Sequence, residues 1–244
     1  MKSEIIYGRK PILENLGEQT EILYIQKGLT EGSMKKIIGR ARALGIEVKE
    51  REKGRLDEMT GGANHQGVVA YTSDFEYSEV SDILAQARAK GEDPFLLLLE
   101  HITDPHNLGA IIRSAKALGA HGVIIPKNRS ARVNGTVFKT SAGAVDQLPV
   151  ARVTNLKRVV EELKGENIWI YGAEMGGGPA YGQNLTGPIA LVIGSEDKGI
   201  SESMAKHLDG RVAIPMAGFD SLNASCAASI LLYEVLRQRR AAEV

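Results

Sequence analysis

Short runs of consecutive apolar residues recur through the second half of the chain, separated by polar loops and amphipathic segments. Such uninterrupted runs are typical of strands buried on both faces of a parallel sheet. Between them, apolar residues recur at spacings of three and four, which indicates helices. The alternation predicts an α/β fold in which helices cover a parallel sheet. The predicted strands are Phe95–Leu99, 123–125, 168–171, Ile189–Ile193 and 212–214, and the predicted helices are 107–118, 156–164, 201–207 and 221–240.

Residues 1–75 show a smaller mixture of the same two patterns, so they predict a separate small α/β domain. Residues 76–93 are polar and charged, with a short helical pattern at Val80–Ala89 and a Gly-Glu-Asp-Pro break at its end. We therefore predict a first domain at 1–75, a linker at 76–93 and a second domain at 94–244. In the first domain the predicted helices are 11–16 and 33–44, and the predicted strands are 21–25, 46–49 and 67–71.

Composition excludes several classes of protein. The formal net charge is zero, so contact with nucleic acid would require a local basic patch. The lone cysteine, Cys226, rules out an intrachain disulfide framework, and we expect its side chain to be packed among apolar neighbours. The chain begins without an apolar signal core and its longest apolar run is too short to span a bilayer. These features favour a cytoplasmic protein that is not embedded in a membrane.

Three separated blocks of the second domain indicate a functional site. They are residues 100–114, 191–201 and 214–225, and each joins a predicted strand to a polar loop and then to a predicted helix. In a parallel sheet, loops that follow the carboxyl ends of strands meet at one edge, where ligands bind. The three blocks are therefore expected to converge on one pocket.

Within these blocks several side chains lie off the predicted apolar faces. Arg113 lies off the apolar stripe of its helix and so faces either water or a ligand. Asn107 and Gly109, in the preceding turns, suggest a helix N-terminus that something approaches closely. Glu196 sits in a turn between two glycines, which fits a ligand approaching the backbone or only a tight turn. The small residues at 224–229 imply a close neighbour for the last helix.

Other sequence features are discounted. The five histidines show no metal-ligand spacing, so no metal site is predicted. The glycine run 176–178 lacks the lysine and serine of a phosphate loop and is interpreted as a flexible turn. A dinucleotide-binding fingerprint is missing after the first strand of the second domain, which argues against an oxidoreductase.

In this order the three blocks resemble the motifs of the SpoU (TrmH-like) family of RNA ribose 2′-O-methyltransferases, which have the trefoil-knotted SPOUT fold. The resemblance covers residues 95–240, with serine at position 114 where threonine is commoner. Residues 7–13 and 64–67 resemble the L30e-like RNA-binding domain attached to one branch of this family, a branch that includes enzymes acting on a guanosine of 23S ribosomal RNA. The matching residues are Glu100, Asp104, Pro105, Asn107, Gly109 and Arg113; Gly194, Glu196 and Gly199; and Ile214, Pro215, Met216, Ser221, Leu222, Asn223 and Ser225.

This resemblance implies a homodimeric enzyme that transfers a methyl group from S-adenosylmethionine to RNA, with its long C-terminal helix at the subunit interface. Because a guanidinium stays protonated, Arg113 is expected to grip a phosphate and stabilise the developing alkoxide, not to act as the base. The implied cofactor-binding residues are Ala173, Gly194, Ile214, Met216 and Leu222, the implied catalytic residues are Arg113, Asn107, Glu196, Ser221 and Asn223, and the implied RNA contacts are Arg9, Lys10, His65, Gln66 and Arg113.

Some alternatives stay open. His65 and Gln66 fit equally well as residues that cap the loop before a strand. In the nearest alternative interpretation, the enzyme methylates transfer RNA or another position of ribosomal RNA. In a more distant one the protein has kept the fold but is a catalytically silent RNA-binding or ribosome-assembly factor.

Overall fold

The computed structural model describes residues 4–17, 20–72, 75–218 and 221–242, which form two compact units. The first unit comprises the described part of Met1–Glu76 together with Arg132–Gly135. The second comprises Tyr77–Ala131 and the described part of Thr136–Val244. No described helix combines the length and apolarity needed to cross a lipid bilayer.

The first unit is a mixed sheet of four strands in the order β1-β4-β2-β3, in which only β2 and β3 run parallel. The sequence patterns do not predict β1, which is only four residues long, or α3, in which Leu56 and Met59 are the only large apolar residues. The elements are β1 Glu4–Tyr7, α1 Arg9–Asn15, β2 Thr20–Gln26, α2 Ser33–Ala43, β3 Glu47–Arg51, α3 Lys53–Met59 and β4 Val68–Thr72.

Arg132 explains why a later segment belongs to the first unit. Its side chain is buried and its guanidinium donates hydrogen bonds to the carbonyl oxygens of Thr20 and Leu44. A guanidinium has five N–H donors and no acceptor, so it can join two backbone carbonyls in one place. Residues 132–135 are therefore part of this unit although they follow a strand of the other.

The second unit confirms the predicted parallel sheet. Six strands lie in the order β10-β8-β9-β5-β6-β7, and every neighbouring pair is parallel. The patterns do not predict β7. The elements are α4 Val80–Ala89, β5 Phe95–Leu99, α5 Pro105–Ala117, β6 Gly122–Pro126, α6 Gly135–Thr140, β7 Val150–Val153, α7 Leu156–Gly165, β8 Trp169–Pro179, β9 Ile189–Ile193, α8 Glu202–Ala205, β10 Gly210–Ala213 and α9 Ala224–Ala242.

Strand β5 lies inside this sheet, and all five of its residues are buried. Residues 76–93, interpreted from the sequence as a linker, contain α4, whose Ile83 and Leu84 pack in the core of the second unit. On another side α9 packs close to α5, where the hydroxyls of Ser114 and Ser229 lie 2.7 Å apart. Helix α5 is thus the close neighbour that the small residues of α9 accommodate.

The glycine run at 176–178 is not a flexible turn. It forms the last part of β8, which pairs with β10 after a break in register. A Cβ atom on Gly177 would lie 2.6 Å from the backbone carbonyl carbon of Arg211. The glycine is needed because β10 passes directly against the backbone.

Candidate active site

The second block forms a tight turn directly after β9. Ser195 and Gly199 form an isolated antiparallel bridge, and Gly199 has a φ of 63°. A Cβ atom on Gly194 would lie 2.1 Å from the carbonyl carbon of Gly199. Both glycines are therefore required by the turn itself, whatever ligand lies beside it.

Glu100 fixes the far end of this turn. Its carboxylate is buried and accepts two hydrogen bonds from Ser201, one from the hydroxyl at 2.7 Å and one from the backbone N–H at 2.9 Å. Ser201 is also the N-cap of α8. The first block thereby holds the second block in place across the ends of the adjacent strands β5 and β9.

A hydrogen-bonded cluster then joins all three blocks through Glu196. Glu196 Oε1 accepts a hydrogen bond from Asn107 Nδ2 at 2.9 Å and from the backbone N–H of Ala224 at 3.3 Å. Asn223 Nδ2 donates to the same oxygen and to Asn107 Oδ1, the latter at 3.0 Å. The expected convergence of the three blocks is therefore present in the structure.

A cavity of ≈ 510 Å³ lies beside this cluster at the ends of β8, β9 and β10. Pockets for small molecules and cofactors usually enclose about 300–1,000 Å³. All five residues predicted to bind the cofactor line the cavity, as do Glu196 and Ser221. The five are Ala173, Gly194, Ile214, Met216 and Leu222.

The cavity wall suits a molecule with an apolar ring system and a charged, polar tail. Ile193, Ile214 and Leu231 provide apolar surface, while the turn at 195–199 provides backbone and carboxylate groups. Glu174 and Met175, which the sequence analysis does not single out, also line the cavity because β8 continues past Ala173. Phe219 and Asp220, within the third block, lie outside the described residues.

Arg113 does not line this cavity. It is exposed on α5, and no hydrogen bond or ion pair engages its side chain within the described ranges. Arg113 lies on α5, the helix that also carries Asn107 of the Glu196 cluster. Its unpaired guanidinium is therefore available to an outside partner. Its neighbour Ser114 is instead occupied by α9.

Gly109 is approached closely, as expected, and the neighbour is α6, since a Cβ atom there would lie 1.8 Å from Thr140 Oγ1. The expectation that Cys226 is packed among apolar neighbours is wrong. Cys226 is exposed, because it lies on the side of α9 opposite to its buried residues Ala224, Ala228 and Leu231.

A second cavity, in the first unit, collects most of the predicted RNA contacts. Arg9, His65 and Gln66 line it together with Lys53 and Asn64. The backbone N–H of Arg9 donates to Gln66 Oε1 at 2.9 Å, and its Nε donates to the Gln66 carbonyl oxygen at 3.2 Å. Lys53 was not predicted because α3, which carries it, has no clear sequence pattern.

His65 is a structural residue of this cavity. Its side chain is buried, its Nδ1 accepts from the backbone N–H of Gly67 at 2.9 Å, and its Nε2 lies 2.9 Å from Asp57 Oδ1. Both ring nitrogens are thus occupied by the protein, so the loop-capping interpretation applies and a direct contact with RNA does not. Lys10 is exposed and lies outside the lining of the cavity.

An all-parallel α/β sheet with a cofactor-sized cavity and a polar cluster at its carboxyl edge is typical of enzymes that bind a nucleotide-like cofactor. The sequence model of the SpoU rRNA Methylase family matches residues 94–233, and that of the RNA 2′-O ribose methyltransferase substrate-binding domain matches residues 5–78. The chain therefore belongs to the SpoU family of RNA 2′-O-ribose methyltransferases, which use S-adenosylmethionine as methyl donor.

Named relatives agree with this assignment. The 23S rRNA (guanosine-2′-O-)-methyltransferase RlmB of Escherichia coli K12 is 40% identical over 245 residues, covering 97% of this chain and 99% of the relative. YacO of Bacillus subtilis, named only as a TrmH family tRNA/rRNA methyltransferase, is 41% identical over 241 residues, covering 97% and 96%. The crystal structure of the SpoU methyltransferase AviRb from Streptomyces viridochromogenes in complex with AdoMet superimposes with a TM-score of 0.64 at 28% identity, covering 98% of this chain and 91% of that one.

Proposed function

We propose that this enzyme methylates the ribose 2′-hydroxyl of a guanosine in 23S ribosomal RNA. The observation that carries the proposal is the convergence of Asn107, Glu196 and Asn223 beside the cavity of the second unit. The near full-length similarity to RlmB favours the ribosomal substrate. Bound in the cavity, S-adenosylmethionine would supply a methyl group on a sulfonium sulfur. Attack of the hydroxyl oxygen on that methyl carbon would break the carbon–sulfur bond and release the sulfur as a neutral thioether.

Glu196 is proposed to receive the proton of that hydroxyl. Its Oε1 accepts the three hydrogen bonds of the cluster, which orient the carboxylate, and no donor reaches Oε2 among the described residues. A weak nucleophile needs both alignment and a positioned proton acceptor. Asn107 and Asn223 hold the carboxylate, while Ser221, on the rim of the same cavity, is left to position the ribose.

Arg113 is proposed to grip the phosphate next to the methylated nucleotide and to stabilise charge on the attacking oxygen. Its place outside the cavity of its own chain fits a homodimer, in which Arg113 reaches the cavity of the second copy. The exposed apolar side chains Ile230 and Tyr233 on α9 favour such an interface.

For the first unit we propose an L30e-like fold and a role in recognising the RNA. Arg9, Lys53 and Asn64 offer cationic and amide donors around one cavity, and a separate recognition unit suits an enzyme whose chemistry is confined to the ribose. Lys10, exposed beside Arg9, is assigned to the same role.

For the second unit we propose the trefoil knot of the SPOUT fold, with α9 threaded through a preceding loop. The side chain of Gln238 on α9 accepts from the backbone N–H of Leu185 at 2.9 Å and donates to the carbonyl of Ala180 at 3.3 Å, so the helix lies against the loop after β8.

We further propose that the protein is located in the cytoplasm, which a ribosomal RNA substrate and a single cysteine favour.

The test is methyl transfer by the purified protein from labelled S-adenosylmethionine to unmodified transcripts of 23S ribosomal RNA, 16S ribosomal RNA and transfer RNA. We expect label at a guanosine ribose in the 23S transcript, and loss of the same modification in a strain lacking the gene. Label in transfer RNA alone would replace the proposed substrate. A protein stabilised against heat by S-adenosylmethionine but inactive on every transcript would leave only a binding role.

A further inference from the structure

A third cavity, of ≈ 610 Å³, lies at the carboxyl edge of the same sheet but on its other half. Most of its lining residues end or follow β5, β6 and β7, and three more, Ser201, Ser203 and Met204, follow β9. The cavity assigned to the methyl donor lies at the ends of β8, β9 and β10. Strand β5 comes first along the chain in this sheet, and the later strands lie on both sides of it. Ligands of open α/β sheets gather at such a switch point.

The linings of the two cavities adjoin along the chain at the end of the turn after β9. Glu100 and Ser201 line the third cavity, while Gly199 and Ile200, immediately before Ser201, line the donor cavity. A molecule that occupies the third cavity therefore lies next to the turn that carries Glu196.

The ionisable groups of this cavity favour an anion. Arg129, Lys157 and His101 contribute to its lining, and none of the three side chains has a hydrogen bond or ion pair in the part of the chain that the structure describes. Its acid, Glu100, is already occupied on both oxygens by Ser201. The guanidinium of Arg129 and the ammonium of Lys157 thus remain without a protein acceptor among the described residues.

The backbone of the cavity is strained where two of these residues sit. His101 has a φ of 61° and Arg129 a φ of 55°, in the left-handed region that side chains other than glycine rarely adopt. The two loops are fixed to each other, since the backbone N–H of Ala131 donates to the Ile102 carbonyl oxygen at 2.7 Å. Strain of this kind persists where the surrounding structure over-determines it, and it clusters at binding sites.

We infer that this cavity, with Arg129 and Lys157 as its principal donors, binds backbone phosphates of the RNA that flank the methylated nucleotide. The inference rests on the proposed function, because it extends the substrate site of that reaction to the other half of the sheet. Phosphate contacts fix the position of a nucleic acid on a protein without reading its sequence. Arg129 and Lys157 are binding residues here and take no part in the chemical step.

The experiment measures equilibrium binding of an unmodified 23S ribosomal RNA transcript by filter retention over a series of KCl concentrations. The variants are Arg129→Gly, Lys157→Ala and the double variant. Arg129→Gly suits this test because glycine accepts the left-handed backbone, so the loop keeps its conformation when the side chain is removed. Arg158→Ala is the matched control, since Arg158 follows Lys157 on α7 but pairs with Glu162 at 2.8 Å and does not line the cavity.

We expect the double variant to bind RNA about tenfold more weakly. The slope of log affinity against log salt should become shallower by roughly 0.7–1 for each phosphate contact removed. S-adenosylmethionine affinity and the thermal midpoint should match the wild type, as should RNA binding by Arg158→Ala. Arg129→Lys should retain most of the affinity, because an ammonium still pairs with phosphate.

Several results would overturn the inference. Unchanged affinity and salt slope in the double variant would exclude phosphate binding in this cavity. An equal loss of RNA affinity in Arg158→Ala would attribute the effect to general surface charge. Weaker S-adenosylmethionine binding by the double variant would mean that Arg129 and Lys157 shape the donor cavity. If the wild type binds this RNA through Arg129 and Lys157 but methylates none, the inference stands while the proposed reaction fails.

Discussion

At the scale of single residues, a substitution of Glu196 can separate its role as hydrogen-bond acceptor in the cluster from its proposed role as proton acceptor. Glu196→Gln keeps an oxygen that can accept from Asn107, Asn223 and the Ala224 N–H, but it removes the negative charge. We expect turnover to fall by roughly a hundredfold or more, the usual contribution of a positioned base, with S-adenosylmethionine affinity close to the wild type. Single-turnover rates and equilibrium dialysis measure the two effects.

Glu202→Gln is the control for this change, because Glu202 lies on α8 outside the donor cavity. Its turnover should be unchanged. Near-normal turnover in Glu196→Gln would transfer the role of proton acceptor to a phosphate of the substrate.

His121 predicts a pH dependence of stability that is independent of catalysis. Burial lowers its pKa below the ordinary value of 6.5, although the neighbouring Glu92 acts in the opposite direction. Its Nδ1 accepts from the Phe95 N–H at 3.0 Å, at the start of the central strand β5. Because the unfolded chain takes up this proton more readily, stability is present above about pH 6.5 and is lost as the pH falls below it.

The measurement is the free energy of unfolding between about pH 7.5 and pH 5.5. Its decrease on acidification should be smaller in His121→Asn, in which the side-chain oxygen can still accept from Phe95. Equal slopes in variant and wild type would assign the pH dependence to other groups.

At the scale of elements, the contact of α5 with α6 depends on Gly109. A methyl group there would lie 1.8 Å from Thr140 Oγ1 and 3.0 Å from the carbonyl oxygen of Val137, which is backbone. We expect Gly109→Ala to destabilise the protein by about 1–3 kcal/mol, the usual cost of overpacking. Gly165→Ala, in α7 with nothing within 4 Å of the added atom, should instead stabilise by roughly 0.5 kcal/mol. Denaturant unfolding compares the two, and a neutral Gly109→Ala would show that α6 can move aside.

The same contact shows what the sequence could and could not predict. The buried strands Phe95–Leu99 and Ile189–Ile193 have the predicted bounds because each is a run of five apolar residues that follows a proline and is too short for a buried helix. β1, α3 and β7 are short and leave little periodicity to detect. A glycine signals that something lies close, but only the fold shows that the neighbour of Gly109 is a helix and that of Gly177 is a strand.

The active site, too, could be predicted from the sequence only in part. Polar loops after buried strands were enough to predict that the three blocks would converge, since parallel strands carry their following loops to one edge. That Asn107, Glu196 and Asn223 would be the residues that meet there was implied by the family resemblance. The burial of His65 could not be predicted, because its partner Asp57 comes from α3, which has no clear pattern. Arg129 and Lys157 also escaped the sequence analysis, since neither belongs to the three blocks.

At the scale of the whole molecule, the position of Arg113 raises the question of which cavity it serves. If Arg113 acts on the cavity of a second copy, two inactive variants should restore each other when their subunits exchange. Arg113→Ala mixed with Asn223→Ala should recover about a quarter of wild-type activity, because about half of the randomly paired dimers are mixed and each of these has one intact site. Asn107→Ala mixed with Asn223→Ala should recover nothing, since those side chains lie 3.0 Å apart in one chain. Co-refolded mixtures assayed on 23S ribosomal RNA measure this, with sedimentation confirming the dimer. Recovery in neither mixture, from a protein that sediments as a dimer, would place Arg113 at the site of its own chain.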